Sequence, residues 1–153
     1  AIAAAERVIE LAPNWELGHA ARGLALMQER RFLEATESVR RALRLNPRGL
    51  VGVQMSVALL NYAVGRREKA VEQLERVRAE YPDQIGSRLI LANYYEREGR
   101  HGDASAAVAE ILRVVPDFSI ERARVMLPGW ERNLGPEEVA AYMETLRKAG
   151  LPK

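Results

Sequence analysis

Four apolar runs along the chain end in Leu11, Leu45, Tyr81 and Val115, and each is followed within two residues by a proline. Pro13, Pro47, Pro82 and Pro116 lie 34, 35 and 34 residues apart. Proline lacks the N–H that a continuing helix needs, so a proline after an apolar run stops a helix. A fixed period of this length is the signature of a stacked array. Aligning the chain on its prolines brings further columns into register. Small residues recur at Gly23, Ala58 and Ala92, and again at Ala35, Ala70 and Ala104. Large apolar residues recur at Leu26 and Tyr95, a column broken by Asn61. Val39, Leu74 and Val108 form another column, followed by Ala42, Val77 and Ile111. Between the small-residue columns lies a polar break, Glu29-Arg30-Arg31 in the first repeat, Val64-Gly65-Arg66-Arg67 in the second and Glu98-Gly99-Arg100-His101-Gly102-Asp103 in the third. The pattern predicts two antiparallel helices per repeat. Small residues let the backbones approach, and larger ones fill the seam between neighbouring repeats.

Beyond Pro116 the pattern changes. Ser119 is placed to cap a new helix, with Glu121 and Arg122 in its first turn and Val125, Met126 and Leu127 closing it before Pro128-Gly129. Trp130 to Leu134 reads as a linker or short turn. Gly135-Pro136-Glu137-Glu138 then opens a last helix, with proline and acids where the helix dipole favours them. Val139, Tyr142, Met143 and Leu146 share one face of it, Glu144 and Lys148 lie on a polar face, and Gly150 ends it. One apolar face is what a terminal helix needs to seal the end of an array.

The run Leu91-Ala92-Asn93-Tyr94-Tyr95-Glu96-Arg97-Glu98-Gly99-Arg100, followed by Ala104 and Pro116, resembles the tetratricopeptide repeat almost column by column. The resemblance implies an all-α fold, a right-handed helical solenoid of antiparallel helix pairs with a 34-residue repeat and C-terminal capping helices. One domain over residues 1–153 is expected. Residues 1–15 form the second helix of a truncated repeat, 16–50, 51–84 and 85–118 are full repeats, and 119–153 cap the array. The opening Ala1-Ile2-Ala3-Ala4-Ala5 reads as the middle of a helix, so the chain is expected to be part of a longer protein. Where the family has a large apolar residue near the start of the first helix, this chain has His19, Gln54 and Arg88. The tail from Phe118 through Pro152 resembles the segment that ends the repeat region of bacterial class III adenylate and guanylate cyclases. Such proteins carry a cyclase domain upstream, and none of that catalytic segment is present here.

Composition narrows the function classes. Apolar residues make up 48% and charged residues 29%, enough for a folded core. The formal net charge is only +2, with 21 acids interspersed among 23 bases, which argues against nucleic acid as a partner. There are no cysteines, and no apolar run approaches the roughly 20 residues that span a bilayer. A cytoplasmic location is expected. Neither His19 nor His101 has a pair of metal-ligating neighbours in sequence, so each reads as an ordinary polar contact. No serine sits in a G-x-S-x-G or S-x-x-K motif, and the glycines form no phosphate loop. Glu137 and Glu138 are adjacent on a helix and point in different directions, unlike a catalytic acid pair. No catalytic residue, metal or cofactor is expected. The clusters Arg30-Arg31, Arg40-Arg41-Arg44 and Arg66-Arg67 read as solvated helix faces, with Glu37 four residues before Arg41 and Glu72 four before Arg76.

In the tetratricopeptide family the first helix of each repeat lines the concave surface that holds ligands. The resemblance therefore points to a partner-binding groove at Leu17, Ala20, Leu24, Gln28, Met55, Leu59, Tyr62, Leu89, Asn93 and Glu96. The family's carboxylate clamp is not expected, because its slots hold Ala20, Leu24, Ser56, Gly86 and Ile90, none of them a cation. The helix from Val51 to Val64 is apolar nearly all round and calls for cover on every side. The expected function is a non-catalytic protein–protein interaction module, the regulatory or scaffold region of a larger bacterial signalling protein. It would receive an apolar helix or peptide from another protein, a second copy or its own tail. The alternatives are a homodimerisation domain that positions an upstream catalytic domain such as a nucleotide cyclase, and an adaptor for envelope assembly or secretion.

Overall fold

A computed structural model of the protein describes residues 1–126 and 136–153. The expectations for Leu127, Pro128-Gly129, Trp130 to Leu134 and Gly135 fall outside the described residues. Among the described residues there are nine helices and no strand. They are α1 (Ile2–Leu11), α2 (Glu16–Gln28), α3 (Phe32–Leu45), α4 (Val51–Ala63), α5 (Arg67–Glu80), α6 (Gly86–Arg97), α7 (His101–Val114), α8 (Ile120–Met126) and α9 (Pro136–Lys148).

Each of the four periodic prolines sits at the second position of a β-turn, where its fixed φ is already correct. The turns close through Trp15 N–H to Ala12 O at 3.0 Å, Gly49 N–H to Asn46 O at 2.9 Å, Gln84 N–H to Tyr81 O at 3.1 Å and Phe118 N–H to Val115 O at 3.0 Å. The prolines thus stop α1, α3, α5 and α7 and turn the chain towards the next helix. The ends of α2, α4 and α6 use a different device. Arg31 N–H reaches Leu26 O at 3.0 Å, Arg66 N–H reaches Asn61 O at 2.8 Å, and Arg100 N–H reaches Tyr95 O at 2.8 Å. These are Schellman closures, which need a left-handed residue just past the helix. Gly65 (φ 81°) and Gly99 (φ 75°) supply it in two repeats, but the first uses Arg30 at φ 59°.

A left-handed conformation costs a residue with a Cβ about 1–2 kcal/mol. Arg30→Gly is therefore expected to stabilise the fold by about 1 kcal/mol, raising Tm by about 3 °C in a thermal melt. The loss of the Arg30 guanidinium 5.8 Å over the Phe32 ring offsets only part of that gain.

The chain forms two compact units, Ala1–Gln73 and Leu74–Lys153. In the first, α1 packs on α2, α2 on α3, and α4 on both α2 and α3. Its core holds Leu26, Ala35, Val39, Ala42 and Leu60, all nearly inaccessible. Gly23 marks a close approach of α2 to α3. A methyl group there would collide with Val39 Cγ2 and come within 3.3 Å of Ala35 O. The close approach explains why this column admits only small residues.

In the second unit α6 packs on α7 and on α9, and α9 also packs on α8. Leu91, Ala92, Tyr95, Ala104, Val108 and Ile111, all in the aligned segment, are buried. Ser119 caps α8, accepting the Arg122 N–H at 3.4 Å. After α9, Gly150 (φ 103°) lets Leu151 N–H return to Leu146 O at 3.0 Å. The tail then closes back on α8, with Leu151 buried and the Ile120 N–H donating to Pro152 O at 2.8 Å. No described helix is long and apolar enough to cross a membrane.

Candidate partner-binding faces

His19, Gln54 and Arg88, the polar residues that occupy a column the family fills with apolar side chains, share one solution. His19 Nε2 lies 2.9 Å from Pro13 O, and since a carbonyl only accepts, that nitrogen carries the proton. Gln54 Nε2 donates to Gly49 O at 3.3 Å, and Arg88 Nη1 donates to Gln84 O at 2.9 Å. Each side chain reaches back to a carbonyl of the turn or loop that precedes its helix. A polar residue here ties down the loop between repeats, where an apolar one would only fill space.

Arg88 does more. Its side chain is 5% exposed, and its Nε donates to Glu110 of α7 at 2.8 Å. Glu110 also accepts from Arg78 of α5 at 2.8 Å, and Arg78 reaches Glu75 at 3.1 Å. The Tyr95 hydroxyl donates to Glu75, and the Arg100 guanidinium lies 4.2 Å above the Tyr95 ring. Burial pushes the Glu110 carboxyl up, but Arg88 and Arg78 together outweigh it and hold it below the usual carboxylate range. Burial, reinforced by Glu75, holds the Tyr95 hydroxyl protonated far above neutral pH. This network fastens α5, α6 and α7 together. Its partners lie up to 32 residues apart, so no local pattern reveals it.

The expected groove residues divide by unit. In the first, Ala20 is buried, Leu17, Met55, Leu59 and Tyr62 are half-buried, and Leu24 and Gln28 are exposed, Leu24 by 39%. The packing of α4 on α2 brings their faces together. The result is an accessible apolar strip, with the Arg67 guanidinium 5.8 Å over the Tyr62 ring at one end. In the second unit, Leu89 and Asn93 are buried, and Glu96 is nearly so, its carboxylate 2.8 Å from His101 Nδ1. Leu24, Leu59 and Asn93 occupy one register position, yet Asn93 is only 1% exposed. Its Oδ1 finds no hydrogen-bond partner among the described residues. Helical geometry turns Asn93 away from the face that carries Arg88 and Tyr95, and α9 is the further element of this unit packed on α6. A sequence signal for this existed in the stripe Val139, Tyr142, Met143 and Leu146, which needs an apolar surface to cover.

Arg31 and Arg44, each from one of the charged clusters, engage locally. Arg31 pairs with Glu34 at 2.7 Å, while Glu37 pairs with Arg44, two turns further on, at 3.0 Å. Among the described residues no group of three or more His, Asp or Glu side chains could hold a metal ion.

No family model matches the chain, and no curated protein matches it by sequence. Solved structures do match its fold. A crystal structure of MamA superposes with a TM-score of 0.67 at 20% identity, covering 97% of this chain and 84% of that one. The MamA MSR-1 C2 structure gives 0.64 at 19% identity over 97% and 83%. YrrB, described as a TPR protein with an unusual peptide-binding site, gives 0.63 at 17% identity over 97% and 74%. With its proline-punctuated helix pairs and buried small-residue columns, the chain has the all-α helical-repeat fold of the tetratricopeptide-repeat proteins.

Proposed function

We propose that the chain is a non-catalytic protein-interaction module that receives a partner helix or peptide on the α2–α4 face of its first unit. The observation that carries the reading is the accessible strip of Leu17, Leu24 and Leu59 on the helices that repeat folds of this type leave open to ligands. YrrB, of the same fold, has a peptide-binding site. The chain's role is the regulatory or scaffold region of a larger bacterial signalling protein. The likeness of the tail to that of nucleotide cyclases supports a cyclase as the parent.

The test is photo-crosslinking in source cells from a reactive residue placed at Gln28, on the rim of the face. Burying a leucine is worth about 2 kcal/mol, so a Leu24→Glu/Leu59→Glu background is expected to cut crosslinked product at least tenfold. Circular dichroism must first show that background to be folded. Equal crosslinking in both backgrounds would move the binding site elsewhere.

A further inference from the structure

The α2–α4 face and the α6 face are register equivalents, and a helix of the protein itself packs on α6. Helix α9 packs on α6 with Tyr142, Met143 and Leu146 buried, and its first turn carries Glu137 and Glu138. The corresponding face of the first unit is apolar in the same way but ends in positive charge. Arg66-Arg67-Glu68-Lys69, which closes the α4–α5 turn and opens α5, carries a net charge of +2, all four residues are exposed, and Arg67 overlies Tyr62 of the face. At the end of α2, Arg31 is engaged by Glu34, while Arg30 is exposed.

From this we infer that the α2–α4 face takes an amphipathic helix of another protein, with acidic residues in its first turn and large apolar residues at i, i+3, i+4 and i+7. The helix runs antiparallel to α4. Its apolar stripe covers Leu24 and Leu59, and its acidic start meets Arg66 and Arg67. Charge and dipole favour that direction together. The C-terminal end of α4 carries partial negative charge, and the N-terminal end of the incoming helix carries partial positive charge. The apolar strip supplies affinity, and the arginines set direction and select against helices that begin with lysine or arginine. This deepens the proposed function and rests on it.

The probe is a fluorescein-labelled synthetic peptide of residues 136–153, which has the required stripe and acidic start. It is titrated against the full chain and read by anisotropy. Saturable binding is expected, at least tenfold weaker for the Leu24→Glu/Leu59→Glu chain and severalfold weaker for Arg66→Glu/Arg67→Glu. A peptide with Glu137→Lys/Glu138→Lys should bind the native chain poorly and recover on the charge-reversed chain. That recovery is the decisive result, because a folding defect in the chain variant would not produce it. Loss of binding with the leucine variants but indifference to both charge reversals would overturn acidic-start recognition and leave the interaction face intact. Insensitivity to the leucine variants would show that the peptide exchanges with α9 on α6, which overturns the proposal. Binding of the peptide that dissociates a dimer seen by light scattering would assign the face to α9 of a second copy, and would overturn a separate partner.

Discussion

Glu110→Ala is expected to destabilise the protein by about 3 kcal/mol at neutral pH, lowering Tm by about 10 °C. The loss of hydrogen bonds is the smaller part. Removing the carboxylate leaves the Arg88 guanidinium, 5% exposed, without a counter-charge, and leaves Arg78 of α5 without its link to α7. A buried charge that has lost its partner costs more than the pair contributed while intact. Truncating both ends of the bond tests this account. The double variant Glu110→Ala/Arg88→Leu removes the stranded charge and should regain most of the stability lost in Glu110→Ala. A double variant less stable than Glu110→Ala would assign the effect to packing.

The same pair makes stability depend on acid. Burial opposes ionisation of Glu110, yet Arg88 and Arg78 prevail and its folded pKa lies below the ordinary value of 4.5. A carboxylate depressed on folding contributes fully above its unfolded pKa, and the contribution fades as pH falls through the folded value. The stability gap between the native chain and Glu110→Gln should therefore be constant from pH 7 to about 5 and narrow below about pH 4.5. Glu34 and Glu144 are also held low, by Arg31 and Arg147, but they are exposed and screened, and both remain in the variant. A gap that persists unchanged to pH 3 would show that the Glu110 charge has no part in it.

The repeat was legible because its causes are local. A proline either continues a helix or ends it, so four prolines at even spacing announced four turns. The small residues at Gly23, Ala58 and Ala92 announced close helix approach, and collision with Val39 at Gly23 shows the reason. The capping of α8 by Ser119 and the exit of α9 through Gly150 follow from the same short-range chemistry. The pairing of Arg88 with Glu110 has no such signature. In sequence Arg88 is only a departure from an apolar column, and its partner is 22 residues away. The groove shows the same limit. Register assigns Leu24, Leu59 and Asn93 one equivalent position, but their exposure depends on what else packs there. That information resides in the stripe of α9, more than 40 residues beyond Asn93.

Leu146→Ala is expected to cost about 3 kcal/mol, with the damage concentrated in α9 and the end of the chain. Leu146 is fully buried on a helix that packs on α6 and α8, and truncating such a leucine removes transfer free energy and leaves a cavity. Two features make the response local. Asn93 Oδ1 on α6 is buried with no hydrogen-bond partner among the described residues, a desolvation cost that water relieves wherever opening reaches it. The tail beyond α9 is held by the buried Leu151 and by the Ile120 N–H bond to Pro152 O, and both depend on α9 being in place. Local opening should therefore precede global unfolding. In hydrogen exchange by mass spectrometry, peptides from 136–153 and the start of α8 should lose protection in the variant by a hundredfold or more. Peptides from α7, which the Glu110 network holds to α6, should change much less. Uniform loss of protection across α6, α7 and α9 would show instead that the terminal helix is an inseparable part of the core, and that the face of α6 is never available to a ligand while the protein is folded.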